Sequence, residues 1–292
     1  MNVYYANDTQ FHAGTVAITE SIIGQLEAQG HTVVGRCVRP DGPDVEGLKR
    51  CDVLVVNGEG AFRDERRQWE PGRQQRLADG MRRALGMGKP VHLINALWAN
   101  MERGWGDLLA SLDEVAVREP ASADEMERVQ GVRPRVYLDA AYYAPMGEYR
   151  THSGFRDKVV VGKLYPHNFP DALTEAHPYF ERWPSRLPIL EPGRGLRWEE
   201  IVARLRGARL YITGQHHGVY AACMAQVPFV YCRVNTHKVQ GLFDWADVDI
   251  PTVRTLGDVP LCVMWALDHP ETYRRLFEFM ATRERWPGLL ET

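Results

Sequence analysis

The sequence is short of cysteine, of long apolar runs and of surplus basic charge, and each shortage removes a class of protein. Cys37, Cys51, Cys223, Cys232 and Cys262 are the only cysteines in 292 residues. Their number is odd and none forms a Cys-x-x-Cys pair, so the spacing offers neither a disulfide framework nor a structural zinc site. Buried free thiols in a reducing compartment are the expectation. No stretch of about 20 apolar residues exists to span a membrane. The first residues, Met1-Asn2-Val3-Tyr4-Tyr5-Ala6-Asn7, lack the basic and then apolar regions of a secretory leader. Thirty-five Lys and Arg against 38 Asp and Glu leave a net charge of −3. Arginines interleave with acids, as in Arg63-Asp64-Glu65-Arg66-Arg67, which reads as a solvated face and not as a nucleic-acid surface. Internal repeats and low-complexity segments are absent too.

What is present is the mix of a folded enzyme-sized protein, 45% hydrophobic and 25% charged. The length suits two lobes of roughly 100–150 residues each. Strand and helix patterns alternate. Residues 2–5 read as a strand, 16–29 as an amphipathic helix ended by Gly30, and 31–38 as a strand. Val53-Leu54-Val55-Val56 is continuously apolar, as in a strand covered on both faces of a parallel sheet, and it runs out at Asn57-Gly58-Glu59-Gly60. A helix at 74–87 and strands at 91–94, 114–117 and 135–138 follow. Residues 145–158 are loop-like, and the boundary is placed at 150/151. Beyond it come a strand at 158–162, a Pro/Gly-rich connection at 184–195 and a helix at 198–206. Strands at 209–212 and 228–231 flank a small-residue helix at 219–225, and a last helix covers 272–285. Such alternation predicts an α/β protein of two Rossmann-like lobes, with ligand-binding loops at the strand ends.

Four stretches can carry chemistry. Thr213-Gly214-Gln215-His216-His217-Gly218 lies between a strand and a helix, where free N–H groups and the helix dipole suit an anion. Its histidines can donate hydrogen bonds or move a proton; capping and space-filling are the plainer alternatives. Asn57-Gly58-Glu59-Gly60 allows close backbone approach to a ligand, or is a tight turn. The loop Asn7-Asp8-Thr9-Gln10-Phe11-His12-Ala13-Gly14-Thr15 leads from the first strand into the first helix, and its Gly14-Thr15 suits an anion or a sugar hydroxyl, with capping by Thr15 the alternative. Arg118, after Val115-Ala116-Val117, can clamp a carboxylate or phosphate or form a structural ion pair, and Asp139 sits at the next strand end. Trp183, Trp198, Trp245 and Trp286 are candidates for sugar stacking or for packing.

Together these stretches resemble the polysaccharide pyruvyl transferase family. The match runs through the glycine turn Asn57-Gly58-Glu59-Gly60, the element Val115 to Ser122, Asp139-Ala140-Ala141, Thr213 to Pro228, and Val234-Asn235-Thr236-His237-Lys238-Val239-Gln240-Gly241-Leu242. The resemblance implies a GT-B-like fold with a cleft between lobes, residues 1–150 on the acceptor side and 151–292 on the donor side, the last helix free to cross back. It implies transfer of the enolpyruvyl unit of phosphoenolpyruvate to a sugar of a surface polysaccharide or its precursor. His217, with His216 and Glu59, would be catalytic. Thr213, Gly214, Gln215, Gly218, Arg118, Asn235 and Lys238 would hold the donor. His12, Gly14, Asn57, Gly58 and Asp139 would hold the acceptor.

Gln215 stands where the family carries arginine, and Gln240 where it carries glutamate. A neutral amide does not replace a guanidinium on a doubly charged ligand. The alternative donor in a GT-B cleft is a nucleotide-activated sugar, which would make the chain a glycosyltransferase. Neither reading requires a metal or a cofactor beyond the donor. Both place the protein in the cytoplasm, in solution or at the inner membrane face, acting on a free or lipid-linked glycan.

Overall fold

The computed structural model describes residues 1–10, 12–38, 42–63, 72–147, 153–162, 164, 196–233, 236–255 and 257–289. Asn235, Trp183 and the expected connection at 184–195 lie outside the described residues. The chain divides into two compact units. Met1–Gln10, Ile18–Tyr143 and Glu284–Thr292 make the first, and Phe11–Ala17 with Ala144–Arg283 the second.

The first unit is built on a six-stranded sheet. Its strands are β1 (Asn2–Asp8), β2 (Thr32–Val38), β3 (Val53–Arg63), β4 (Val91–Ala99), β5 (Glu114–Val117) and β6 (Arg135–Val136), ordered β2-β1-β3-β4-β5-β6. All pairings are parallel. The apolar runs of β1, β3 and β4 are buried almost throughout, as strands with both faces covered must be. The helices are α1 (Ala13–Ala28), α2 (Val45–Arg50), α3 (Arg73–Gly86), α4 (Gly106–Ala110) and α5 (Pro120–Gln130); the first turn of α1 is counted with the second unit. Strand order reverses direction between β1 and β3, and the carboxyl ends of strands at such a point are where open α/β sheets bind ligands.

Local chemistry explains the joints. Gly30, at φ +80°, ends α1 as expected. Tyr4 buries its ring and donates its hydroxyl to Asp44 at 2.6 Å. Asp44 in turn accepts from Gly47 N at 2.6 Å and caps α2. The Tyr4 hydrogen bond, with the Gly47 amide, holds the Asp44 carboxyl below the ordinary aspartate range. A Cβ on Gly47 would lie 2.0 Å from the Tyr4 ring, so only glycine fits.

The second unit has a four-stranded parallel sheet in the order β10-β9-β8-β7, with β7 Val159–Val161, β8 Leu210–Thr213, β9 Phe229–Cys232 and β10 Thr252–Val253. Its helices are α6 (Trp198–Leu205), α7 (His216–Ala225), α8 (Gln240–Trp245), α9 (Asp258–Asp268) and α10 (Pro270–Ala281). All five cysteines are free and buried, and burial pushes the thiols of Cys223 and Cys232 well above their ordinary range. Among the described residues no helix is long and apolar enough to cross a membrane.

Several elements differ from the sequence reading. The last helix, expected at 272–285, is Pro270–Ala281, and the segment after it, Glu284–Thr292, is the part that belongs to the first unit. Strand β3 does not end at Val56 but continues to Arg63, with a register irregularity between Glu59 and Phe62; Ala61 and Phe62 are fully buried and keep the strand in the sheet. Strand β4 likewise extends from Ile94 to Ala99, burying Leu97 and Trp98. Helix α7 starts at His216 and not at Val219, which places both histidines in its first turn.

Candidate functional site

In the second unit, β8 ends at Thr213, and Gly214 and Gln215 lead into α7. Gln215 N donates to Thr213 Oγ1 at 3.1 Å, so the strand's last side chain shapes the turn. A Cβ on Gly218 would stand 2.2 Å from that same oxygen. Gly218 is therefore in the helix for room, although the sequence placed it in the turn before a helix at 219–225. Gln215, His216 and His217 are 4%, 5% and 7% exposed. The N-cap Gln215 makes no side-chain cap. Lys238, just before α8, is half-buried.

Four groups surround the His217 ring. His216 lies at 5.1 Å between centroids, inclined 66°, and Trp198 meets it edge-on at 6.5 Å. The other two come from the first turn of α1. The His12 ring is 5.0 Å away at 58°, and the Gly14 backbone is so close that a Cβ would lie 2.4 Å from His217 Cγ. His12 Nδ1 accepts from Gly14 N at 3.1 Å and Thr15 N at 3.3 Å, while Thr15 Oγ1 accepts from His12 N at 3.1 Å. Thus α1 is capped by a histidine ring and Thr15 reciprocates, as in a capping box. The structure brings His12, Gly14, Thr213, Gly214, Gln215, His216, His217 and Gly218 into one unit.

Asn57, Gly58, Glu59, Arg118 and Asp139 belong to the first unit. Across the neighbouring strands β1, β3 and β4, three asparagines form a ladder. Asn7 Nδ2 donates to the Asn57 carbonyl, Asn95 Nδ2 to Asn57 Oδ1 at 3.2 Å, and Ala140 N to Asn95 Oδ1 at 3.1 Å. The amide of Asn57 is occupied at both ends, since its Nδ2 also reaches Asn7 O at 3.5 Å. Gly58 packs on β4, where a Cβ would lie 2.5 Å from that of Ala96. Glu59 Oε2 accepts from Thr9 Oγ1 at 2.7 Å and faces Arg73 Nη2 at 3.8 Å. Its Oε1 has no hydrogen-bond partner among the described residues. Asn7 and Asn95, at φ +68° and +55°, and Glu59 at +36° adopt a left-handed backbone that non-glycine residues seldom use. Glu59 sits in it where the register of β3 against β4 becomes irregular, and such outliers cluster at functional sites.

Arg118 and Asp139 pair with each other. Arg118 Nη1 meets Asp139 Oδ2 at 2.6 Å, and Asp139 Oδ1 accepts from Ala141 N at 3.0 Å. Beside them, Glu119 caps α5 by accepting from Ser122 N at 3.0 Å, and the Ser122 hydroxyl donates to Glu119 as well.

Sequence reasoning missed Asn95 and Arg73 as members of these clusters, whereas Asn7 and Thr9 fell within the candidate loop before the first helix and Trp198 was a stacking candidate. A signal for the asparagines was present: each follows an apolar run, as Ala6-Asn7, Val56-Asn57 and Ile94-Asn95. Arg73 had none, because it lies at the start of a polar helix.

No curated protein sequence matches the chain. Among solved structures it resembles a UDP co-structure of MnaA from S. aureus, at 10% identity and a TM-score of 0.60, covering 95% of this chain and 91% of that one. UDP-GlcNAc 2-epimerase from Neisseria meningitidis bound to UDP-GlcNAc matches at 10% identity and a TM-score of 0.57, covering 94% of each chain. The spinosyn rhamnosyltransferase SpnG complexed with thymidine diphosphate matches at 10% and 0.54, covering 98% and 97%. At these identities the likeness shows the fold alone, a GT-B-like α/β architecture with two Rossmann-like lobes. Residues 12–236 match the sequence profile of polysaccharide pyruvyl transferases, so the chain belongs to that family and is a transferase.

Proposed function

We propose that the enzyme transfers the enolpyruvyl unit of phosphoenolpyruvate onto hydroxyls of a sugar, free or lipid-linked, in a surface polysaccharide or its precursor. One observation carries this: the ten-residue helix α7 opens on two buried histidines, and its N-cap leaves it without a side-chain cap. Helices α3, α4, α8, α9 and α10 also lack a side-chain cap, so it is the buried histidine pair that distinguishes the start of α7. The start of α7 suits a phosphate, held by backbone N–H groups, the helix dipole and imidazole. Lys238 adds charge on the donor side.

The chemistry follows from these groups. His217, assisted by His216, delivers a proton to the methylene carbon of the donor, which makes its C2 electrophilic. A sugar hydroxyl adds to C2 and loses its proton to a base, the role read from the sequence for Glu59 or Asp139. A second hydroxyl then displaces phosphate from C2, closing the ketal and breaking the C2–O bond to phosphorus. Of the two hydroxyl protons, one balances that now on the methyl group and the other leaves with phosphate. Binding requires no cofactor besides the donor, and the reaction belongs on the cytoplasmic side, where phosphoenolpyruvate is available.

The test is a thermal-shift comparison of phosphoenolpyruvate with UDP-, GDP- and CMP-sugars, together with phosphate release in the presence of glycan acceptors. A ligand at 100 times its Kd stabilises by about 2.7 kcal/mol. Phosphoenolpyruvate should shift the wild type and shift His217→Ala much less. Gln215 favours a second reading, a nucleotide-sugar donor, as do solved neighbours bound to UDP, UDP-GlcNAc and thymidine diphosphate. A shift with one nucleotide-sugar and none with phosphoenolpyruvate would replace pyruvyl transfer by glycosyl transfer.

A further inference from the structure

Residues 12–15 come early in the chain, and sequence order assigns His12 and Gly14 to the acceptor side. The structure groups them with the unit that carries His217. We propose that His12 and Gly14 are positioning residues on the donor side, which fix the orientation of the His217 imidazole. This inference rests on the role of His217 given above.

Gly14 is a poor choice for a helix on propensity grounds, and its φ is not in the left-handed region that would demand glycine. Space accounts for it. An added Cβ would fall 2.4 Å from Cγ, and 2.6 Å from both Cβ and Nδ1, of His217. The turn of α1 therefore lies directly against the imidazole, and any larger residue would push the ring away.

His12 makes the next wall. Because its Nδ1 accepts from two backbone amides, the neutral ring carries its proton on Nε2. Ring rotation would break both bonds and uncap α1, so this tautomer and orientation are held by the fold. With His216 and Trp198 completing the enclosure, His217 is confined on four sides. A confined imidazole presents one nitrogen in one direction, which a proton donor to carbon requires, since small misplacements cost on the order of a hundredfold in rate.

The experiment uses full-length protein with 15N-labelled histidine. His217 ring resonances are identified by their loss in His217→Ala. Gly14→Ala should move those resonances and lower turnover of phosphoenolpyruvate by about tenfold or more, although alanine is the better helix former. His12→Asn keeps a good N-cap but removes the ring; it should also move the His217 resonances and lower kcat. Since both residues act through His217, Gly14→Ala should leave the remaining phosphoenolpyruvate affinity of His217→Ala unchanged. Unmoved His217 resonances and wild-type turnover in both Gly14→Ala and His12→Asn would overturn the proposal. If Gly14→Ala fails to fold, His12→Asn decides by the same readout. Equal turnover by wild type and His217→Ala is a different failure: it removes the catalytic role of His217, while the resonances still report whether residues 12 and 14 orient the ring.

Discussion

Arg118 and Asp139 meet at 2.6 Å inside the first unit, their side chains 3% and 0% exposed. The contact joins the residue after β5 to the turn after β6, and the Ala141 amide occupies the second carboxylate oxygen. Sequence spacing left Arg118 open to two roles, ligand clamp or structural ion pair. The two side chains form an ion pair.

Breaking that pair should cost far more than removing it. Asp139→Asn leaves a guanidinium buried without its counter-ion, and an unfolding cost of about 3–5 kcal/mol is expected from chemical denaturation. The double variant Arg118→Met/Asp139→Leu should recover much of that loss, because it buries no charge. Equal stability of Asp139→Asn and the wild type would mean the pair is not a structural brace. Activity lost in these variants is uninformative unless stability is measured alongside.

Gln215→Arg restores the cation common in the family at a buried position preceding α7. A buried arginine without an anion is costly, so the melting temperature should fall without ligand. Phosphoenolpyruvate should reverse this, with its affinity raised by about tenfold, within the range of charge-assisted hydrogen bonds. Calorimetry decides: a variant that destabilises the protein and gains no affinity would place the donor elsewhere.

Thr9 tests the acceptor side. Its hydroxyl fixes one oxygen of Glu59, leaving the other directed by default. Thr9→Val should lower kcat by about tenfold with KM for phosphoenolpyruvate unchanged, whereas Thr9→Ser should stay near wild type. Glu59→Gln should lose more. Wild-type kinetics in Thr9→Val and Glu59→Gln would remove Glu59 as the base.

Much of this architecture was legible in the chain. The apolar runs located β1, β3, β4 and β5, the last at Glu114–Val117, because fully buried parallel strands need continuous apolar residues. The glycines and histidines at 213–218 marked the key turn. Other features depend on information that is not local. Gly218 reads as part of the turn until Thr213 is seen to occupy the space of its missing side chain. Asn7, Asn57 and Asn95 become a ladder only when β1, β3 and β4 are known to be neighbours. That His12 and Gly14 count with the second unit follows from tertiary contact alone, against sequence order.

The segment after α10 supplies a test with a defined pH dependence. Trp286 Nε1 donates to Glu114 Oε2 at 2.8 Å, and His92 Nδ1 lies 3.2 Å from the same oxygen. Burial pushes the Glu114 carboxyl up, but the hydrogen bonds from His92 and Trp286 and the charges of His92 and Arg135 outweigh it and leave it below the usual glutamate range. A carboxyl depressed in the folded state contributes stability that is complete above its unfolded value, near 4.3, and is lost as pH falls through the folded value. Trp286→Phe removes one of the depressing bonds while keeping most of the ring packing. It should cost about 1.5–3 kcal/mol at neutral pH, the range for a hydrogen bond to a charged group. As its Glu114 protonates at higher pH, the difference from wild type should shrink below about pH 4. Denaturation curves collected from pH 3 to 7 check this, and a difference that stays constant across that range would mean the indole contributes through packing and not through the carboxylate.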